Sequence, residues 1–218
     1  MDKARFMGRM AATVSHDLCN VLATIQQASG LLGDYLALSR KEQLKSMGLR
    51  PKFKYNDKFE EIIAQVQAQV NRGQDMCDQL SRLAHSPDEG QDFADLAQAV
   101  ELLVKLSTRV AKKHKVRLLV MPAPMCCRAQ ANLVEVLAAL EAGLLGVAWE
   151  CRESQADIVF APGEGDGCVH VDILCQALGQ GNCESLAGSL CSDGSGPYRA
   201  EAVHGGVRLV FRQAGCQA

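Results

Sequence analysis

At 218 residues the chain has room for one or two domains, each long enough to bury a core. Hydrophobic residues make up 48% of it and charged residues 22%, the balance of an ordinary folded protein rather than a disordered or fibrous one. The net charge is −2 and no lysine- or arginine-rich block occurs, which argues against a nucleic-acid partner. The opening MDKARFMGRMAATVSHDL lacks the apolar core of a secretion signal, and no run approaches the ~20 apolar residues of a membrane span. The expectation is a cytoplasmic protein with no membrane contact. None of the ten cysteines forms a C-x-x-C pair, so they read as reduced thiols used as small hydrophobes.

In chain order, apolar residues first recur at Met7, Ala11, Val14, Leu18, Val21, Ile25, Ala28, Leu32 and Tyr35. This 4-3 alternation predicts a helix with a coiled-coil-like seam. Residues 39–57 are polar and contain Gly48 and Pro51, and read as a frayed helix end and a loop. The alternation resumes at Phe59, Ile63, Val66, Val70, Gly73, Cys77, Leu80 and Ala84. Two such helices make an antiparallel hairpin. One hairpin leaves apolar surface uncovered, so the pattern predicts a homodimer in which two hairpins form a four-helix bundle. The dimer surface is expected within residues 5–38 and 57–85.

After a linker at 86–92 the character changes, giving domains at 1–88 and 92–218. Residues 93–114 read as a helix with Leu96, Val100, Leu103 and Val110 on one face, Arg117–Met121 as a strand, and 130–149 as a helix. Three strand-like runs follow, at Asp157–Phe160, Val169–Leu174 and Val207–Arg212, separated by Gly-rich loops. The fold class is therefore α+β: a helical hairpin followed by an α/β sandwich, one mixed sheet with helices on one face.

The chemistry concentrates on the first helix. His16 lies two residues from both Val14 and Leu18, which puts it opposite the seam and toward water. Asn20 lies one turn on along the same face, with Arg9, Ala12, Ala23 and Gln27 nearby. A neutral imidazole is nucleophilic near pH 7, and the neighbouring Asp17 can hold its other nitrogen or take its proton. Taken alone, an exposed helical histidine is usually just solvated. His85, His114, His170 and His204 sit at helix ends, in a strand and before a turn, and read as structural.

The run Ser15-His16-Asp17-Leu18-Cys19-Asn20-Val21-Leu22-Ala23-Thr24-Ile25 resembles the H-box of sensor histidine kinases, with Val21 where that family has proline. The segment from Val70 to Leu80 resembles the second helix of their dimerisation domain. The resemblance implies that His16 accepts a phosphoryl group, that Asp17 is its general base, and that Asn20 positions water for dephosphorylation of the partner. Residues 92–216 resemble the ATP-binding domain of the same kinases in outline. Its magnesium-binding asparagines fall at Ala139 and Gly143, and its adenine-binding aspartate at Ala177. The last nucleotide box is at best Gly194-Ser195-Gly196-Pro197. Alanine and glycine side chains cannot ligate a hard cation.

A dimeric hairpin joined to a degenerate ATP-binding domain is similar to the histidine phosphotransferases derived from kinases. This resemblance implies exchange of phosphate with response-regulator receiver domains, no tightly bound cofactor, and Mg²⁺ supplied by the regulator. The alternatives are an ATP-dependent histidine kinase with divergent nucleotide motifs and a non-catalytic dimeric binding module.

Overall fold

The computed structural model describes residues 3–45, 56–85, 93–123, 127–152, 154–165, 167–191 and 197–215. It divides into two compact units, Ala11–Ser81 and Met1–Met10 with Arg82–Ala218. The sequence linker at 86–92 lies outside the described residues. Among the described residues no helix is long and apolar enough to cross a membrane.

The first unit is the hairpin, carried by helices α1 (Lys3–Lys45) and α2 (Asn56–His85). Helix α1 runs on through residues 39–45, which the sequence reading gave to a frayed end. These residues are good helix formers, and no breaker occurs before Gly48. The helix is also unbroken at Val21. Within the unit the buried side chains are Val14, Val21, Ala28 and Ile62, with Leu18, Ile25, Leu32, Phe59 and Val66 half-buried. Ala11 is exposed. Tyr35 and Phe59 lie with ring centroids 6.4 Å apart and planes tilted by 53°, toward the end of the hairpin where α1 leads into α2. Val21 packs against Gly73, where a Cβ would lie 3.4 Å from Val21 Cγ1. A small residue there lets the helices approach closely.

The seam of α2 differs from the expected one. It runs through Phe59, Ile62, Val66, Gln69, Gly73 and Met76, whereas Ile63, Val70 and Cys77 are exposed.

The second unit is the α/β sandwich. A short ribbon pairs β1 (Ala94–Asp95) with β3 (Arg128–Ala129). Helix α3 (Leu96–Leu106) starts at Asp95, whose carboxylate accepts from the amides of Ala97 and Gln98. The expected single helix over 93–114 is instead two. Ser107 ends α3 and begins α4 (Thr108–His114). Helix α5 (Leu133–Glu150) opens on a capping box in which Asn132 and Glu135 satisfy each other's amides. Leu137, Leu140 and Leu144 of α5 are fully buried, each contributing about 1.5–3 kcal/mol relative to exposure.

The main sheet has the order β2 (Arg117–Val120), β4 (Asp157–Gly165), β5 (Cys168–Leu174), β7 (Gly206–Arg212), β6 (Tyr198–Val203). Only β2 and β4 are parallel, with α5 in the connection between them. The other pairs are antiparallel. Alternation along the strands buries Ile158, Phe160, Val169, Val171, Ile173, Val207, Leu209 and Phe211 on one face. The other face carries His170, Arg208 and Asp172, with Arg208 bidentate to Asp172 at 2.6 and 2.8 Å.

Two elements correct the sequence reading. The Gly-rich stretch before the last strand contains helix α6 (Gln180–Leu190) and edge strand β6. Leu186 of α6 fits against Gly146 of α5, where any Cβ would collide with it.

The first turns of α1 belong to the second unit. Phe6 and Met10 are buried there, and Arg9 makes a two-pronged contact with the carboxylate of Glu141 on α5. Glu141 is 2% exposed, so its charge is held by that guanidinium. Lys3 reaches Glu135 at 2.6 Å. Arg9 was expected on the free face beside His16, but its guanidinium is occupied by Glu141.

Candidate functional site

His16 and Asp17 are adjacent on α1 and Asn20 follows one turn on, a relation that the regular helix fixes. The His16 side chain is 51% exposed, as its place opposite the seam requires. Its Nδ1 meets two groups of opposite character. Asp17 Oδ1, an acceptor only, lies at 3.4 Å, and Asn20 Nδ2, a donor, lies at 3.2 Å. The Thr24 hydroxyl donates to the Asn20 carbonyl at 2.9 Å, one turn further along. Among the described residues no hydrogen-bond partner falls to Nε2 of His16.

The two contacts select different tautomers. With a proton on Nδ1 the ring donates toward Asp17, and Nε2 keeps its lone pair. With Nδ1 bare the ring accepts from Asn20, and Nε2 carries the proton. Only the first state presents a nucleophile on the outer side of the ring. The neighbourhood is small and open: Ala12, Cys19, Ala23 and Gln27 are all exposed.

The positions aligned with nucleotide binding are built differently from a ligand site. Ala139 is fully buried within α5. Gly143 is also buried, and a Cβ there would lie 2.5 Å from Ile173 Cδ1 and 3.5 Å from Leu209 Cδ1. Gly143 is thus a close-packing residue between α5 and the sheet, and an asparagine could not enter without displacing core side chains. Ala177 is exposed in the turn before α6, and Gly179 caps that helix without a side-chain bond. These residues do not fit a Mg-nucleotide. The stretch Gly194-Ser195-Gly196 lies outside the described residues. Among the described residues no group of three or more His, Cys, Asp or Glu is placed to hold a metal ion. Burial, then the Arg208 charge, holds the His170 imidazole below its ordinary pKa.

No family model matches the sequence, and no curated protein matches it. Among solved structures the chain is similar to histidine kinase ThkA, in its complex with response regulator protein TrrA, at 13% identity and a TM-score of 0.42. The match covers 96% of this chain and 62% of that one, so the present chain spans less than two thirds of that kinase chain. It is similar to a histidine kinase from Burkholderia phymatum at 12% identity and a TM-score of 0.40, covering 94% and 97% of the two chains. It is similar to histidine kinase AdeS from Acinetobacter baumannii at 9% identity and a TM-score of 0.36, covering 92% and 98%. At these values the functional reading rests on the chain's own residues.

Proposed function

We propose that this chain is a two-component phosphorelay protein that carries a phosphoryl group on His16 and exchanges it with response-regulator aspartates without using ATP. The observation that supports this most is the exposed imidazole whose Nδ1 is flanked by Asp17 and Asn20 while Nε2 stands free. In the forward step Nε2 attacks the phosphorus of an aspartyl phosphate. The N–P bond forms as the P–O bond to the receiver aspartate breaks, and that aspartate leaves as a carboxylate. Asp17 supports the charge that develops on the ring by accepting from Nδ1–H. The reverse step uses the same groups, and the Mg²⁺ that neutralises the phosphoryl oxygens is the regulator's. Asn20 is the candidate for orienting water when the partner loses its phosphate.

Packing and side-chain chemistry both speak against ATP use. Ala139, Gly143 and Ala177 supply no donor or acceptor side chain, and Gly143 is held small by Ile173 and Leu209. The C-terminal unit then serves as scaffold and docking surface.

The working form in this reading is a homodimer. Ile63 is 45% and Val70 40% exposed, and with Cys77 they recur every seven residues beside the hairpin's own seam. On α1, Leu31 is 43% and Leu38 44% exposed, and they stand seven residues apart on one face. A second hairpin covers such stripes in a four-helix bundle. The test is incubation with labelled phospho-receiver beside labelled Mg-ATP. Label should reach this chain from the receiver and not from ATP. Micromolar heat of binding with Mg-ATP in a calorimeter would favour a kinase instead.

A further inference from the structure

Three cysteines are sealed inside the C-terminal unit. Cys151 caps the C-terminus of α5, Cys175 follows β5, and Cys183 lies in α6, all at 1% exposure or less. Cys151 and Cys175 face each other with their sulfurs 2.7 Å apart, though they stand 24 residues apart in sequence. A disulfide holds its sulfurs at about 2.04 Å, so closure needs a movement of well under ~1 Å. Both anchors are firm. The Cys151 amide donates to Val147, and Cys175 is held by its amide to Gly205 and by the turn that Leu178 closes on it.

We infer that Cys151 and Cys175 are an oxidative modification site that closes to a reversible disulfide when the chain meets a peroxide. One sulfur attacks the peroxide, becomes a sulfenic acid and releases water. The second sulfur displaces the hydroxyl from the first, forming the S–S bond and releasing a second water. Two thiols lose two electrons and two protons, and one peroxide is reduced to two waters. The bond pins the end of α5 to the turn between β5 and α6, and closes a loop that the unfolded chain must then carry.

The resting form is the dithiol. Burial, helped by the facing Cys175 thiol, pushes the Cys151 thiol up to about 12. Little thiolate is present at neutral pH, so closure is slow and quickens as pH rises. Cys19, Cys77 and Cys191 are exposed and face no second thiol among the described residues. They are the sites that soluble alkylating reagents reach first.

The test uses the full chain treated with hydrogen peroxide, freed of excess peroxide, unfolded in the presence of N-ethylmaleimide and digested for mass spectrometry. A peptide pair joined through Cys151 and Cys175 is expected, two hydrogens lighter than its parts and separated by dithiothreitol. Cys151→Ala and Cys175→Ala should each abolish it, while Cys183→Ala and His16→Ala should leave it. Oxidation should raise the wild-type melting temperature by several degrees and leave that of Cys151→Ala unchanged. Recovery of both cysteines alkylated after unfolding, or a bridge from either one to Cys183 instead, overturns the inference. The cross-link reads out independently of phosphoryl transfer, so either proposal can fail without the other.

Discussion

The hairpin and the sandwich solve the problem of burying apolar surface in different ways. Among the described residues of Ala11–Ser81 only Val14, Val21, Ala28 and Ile62 are buried. The sandwich buries α5 on nearly all sides and one face of the three central strands β4, β5 and β7 of its five-stranded sheet. The sandwich encloses its own core and leaves Phe93, Trp149 and, at the β2 edge, Leu119, Val120 and Met121 exposed, whereas the hairpin keeps apolar stripes exposed beside its seam. The proposed chemistry follows the same division. His16 stands on the incomplete, open element. The unit whose sequence resembles a nucleotide-binding domain has apolar packing at Ala139 and Gly143 and a bare alanine at the exposed position 177, where ligand groups would be needed.

Breaking the hairpin's outer stripe should have the largest effect. Val70→Asp, or Ile63→Asp, changes a side chain exposed in a single hairpin, so the helices should still form. In a two-fold bundle the change brings two unpaired carboxylates into an apolar interface, and the dimer should dissociate at micromolar concentration. Sedimentation of the variants, with circular dichroism to show retained helix, checks this. Val21→Asp is a poorer probe, since Val21 is already buried against Gly73 within one hairpin.

Next in size is Gly143→Asn, which restores the residue type expected for magnesium binding. It should restore no nucleotide binding and should destabilise the sandwich by about 1–3 kcal/mol through overpacking against Ile173 and Leu209. Urea unfolding and calorimetry with Mg-ATP measure the two parts.

A smaller effect is expected from pH. The His170 pKa is lowered in the folded chain, so the folded state takes up its proton less readily than the unfolded state. Its contribution is fully present above the ordinary value of about 6.5 and is lost as pH falls below it. The melting temperature should fall more between pH 7 and pH 5 in the wild type than in His170→Gln. The smallest change expected is Ser107→Ala. Among the described residues the buried Ser107 hydroxyl has no hydrogen-bond partner, so removing it should be neutral or stabilise by up to about 1 kcal/mol, read by urea unfolding.

Much of this division was legible in the sequence, and the exceptions have physical causes. From Val14 onward the α1 seam was legible, but at its start the 4-3 pattern chose Met7 and Ala11 where Phe6 and Met10 are the buried residues, because the first turns pack in the second unit. In α2 the 4-3 spacing fits two adjacent stripes, and the one that packs within the hairpin contains Gln69 and Gly73, which no hydrophobic pattern selects. Helix α6 was hidden by Gly181 and Gly188, although Cys183, Leu186, Ala187 and Leu190 carry helical spacing. Strand β6 was hidden by small alanines alternating with Arg199 and Glu201. The break at Ser107 has no proline or glycine to announce it. The Arg9–Glu141 pair joins residues 132 apart in sequence, and no local pattern encodes such a contact. The site itself was legible because His16, Asp17 and Asn20 lie within one helical turn and a half, where sequence spacing fixes geometry.

The central claim is tested most directly by following label from a phosphorylated receiver onto this chain, for wild type, His16→Ala and Asn20→Ala. Neither substitution should disturb folding by more than about 0.5 kcal/mol, because both side chains are exposed. The wild type should acquire acid-labile phosphate and pass it on. Asn20→Ala should still form phosphohistidine while slowing loss of phosphate from the partner, and His16→Ala should acquire no label. Acid-labile phosphate on His16→Ala would contradict the account.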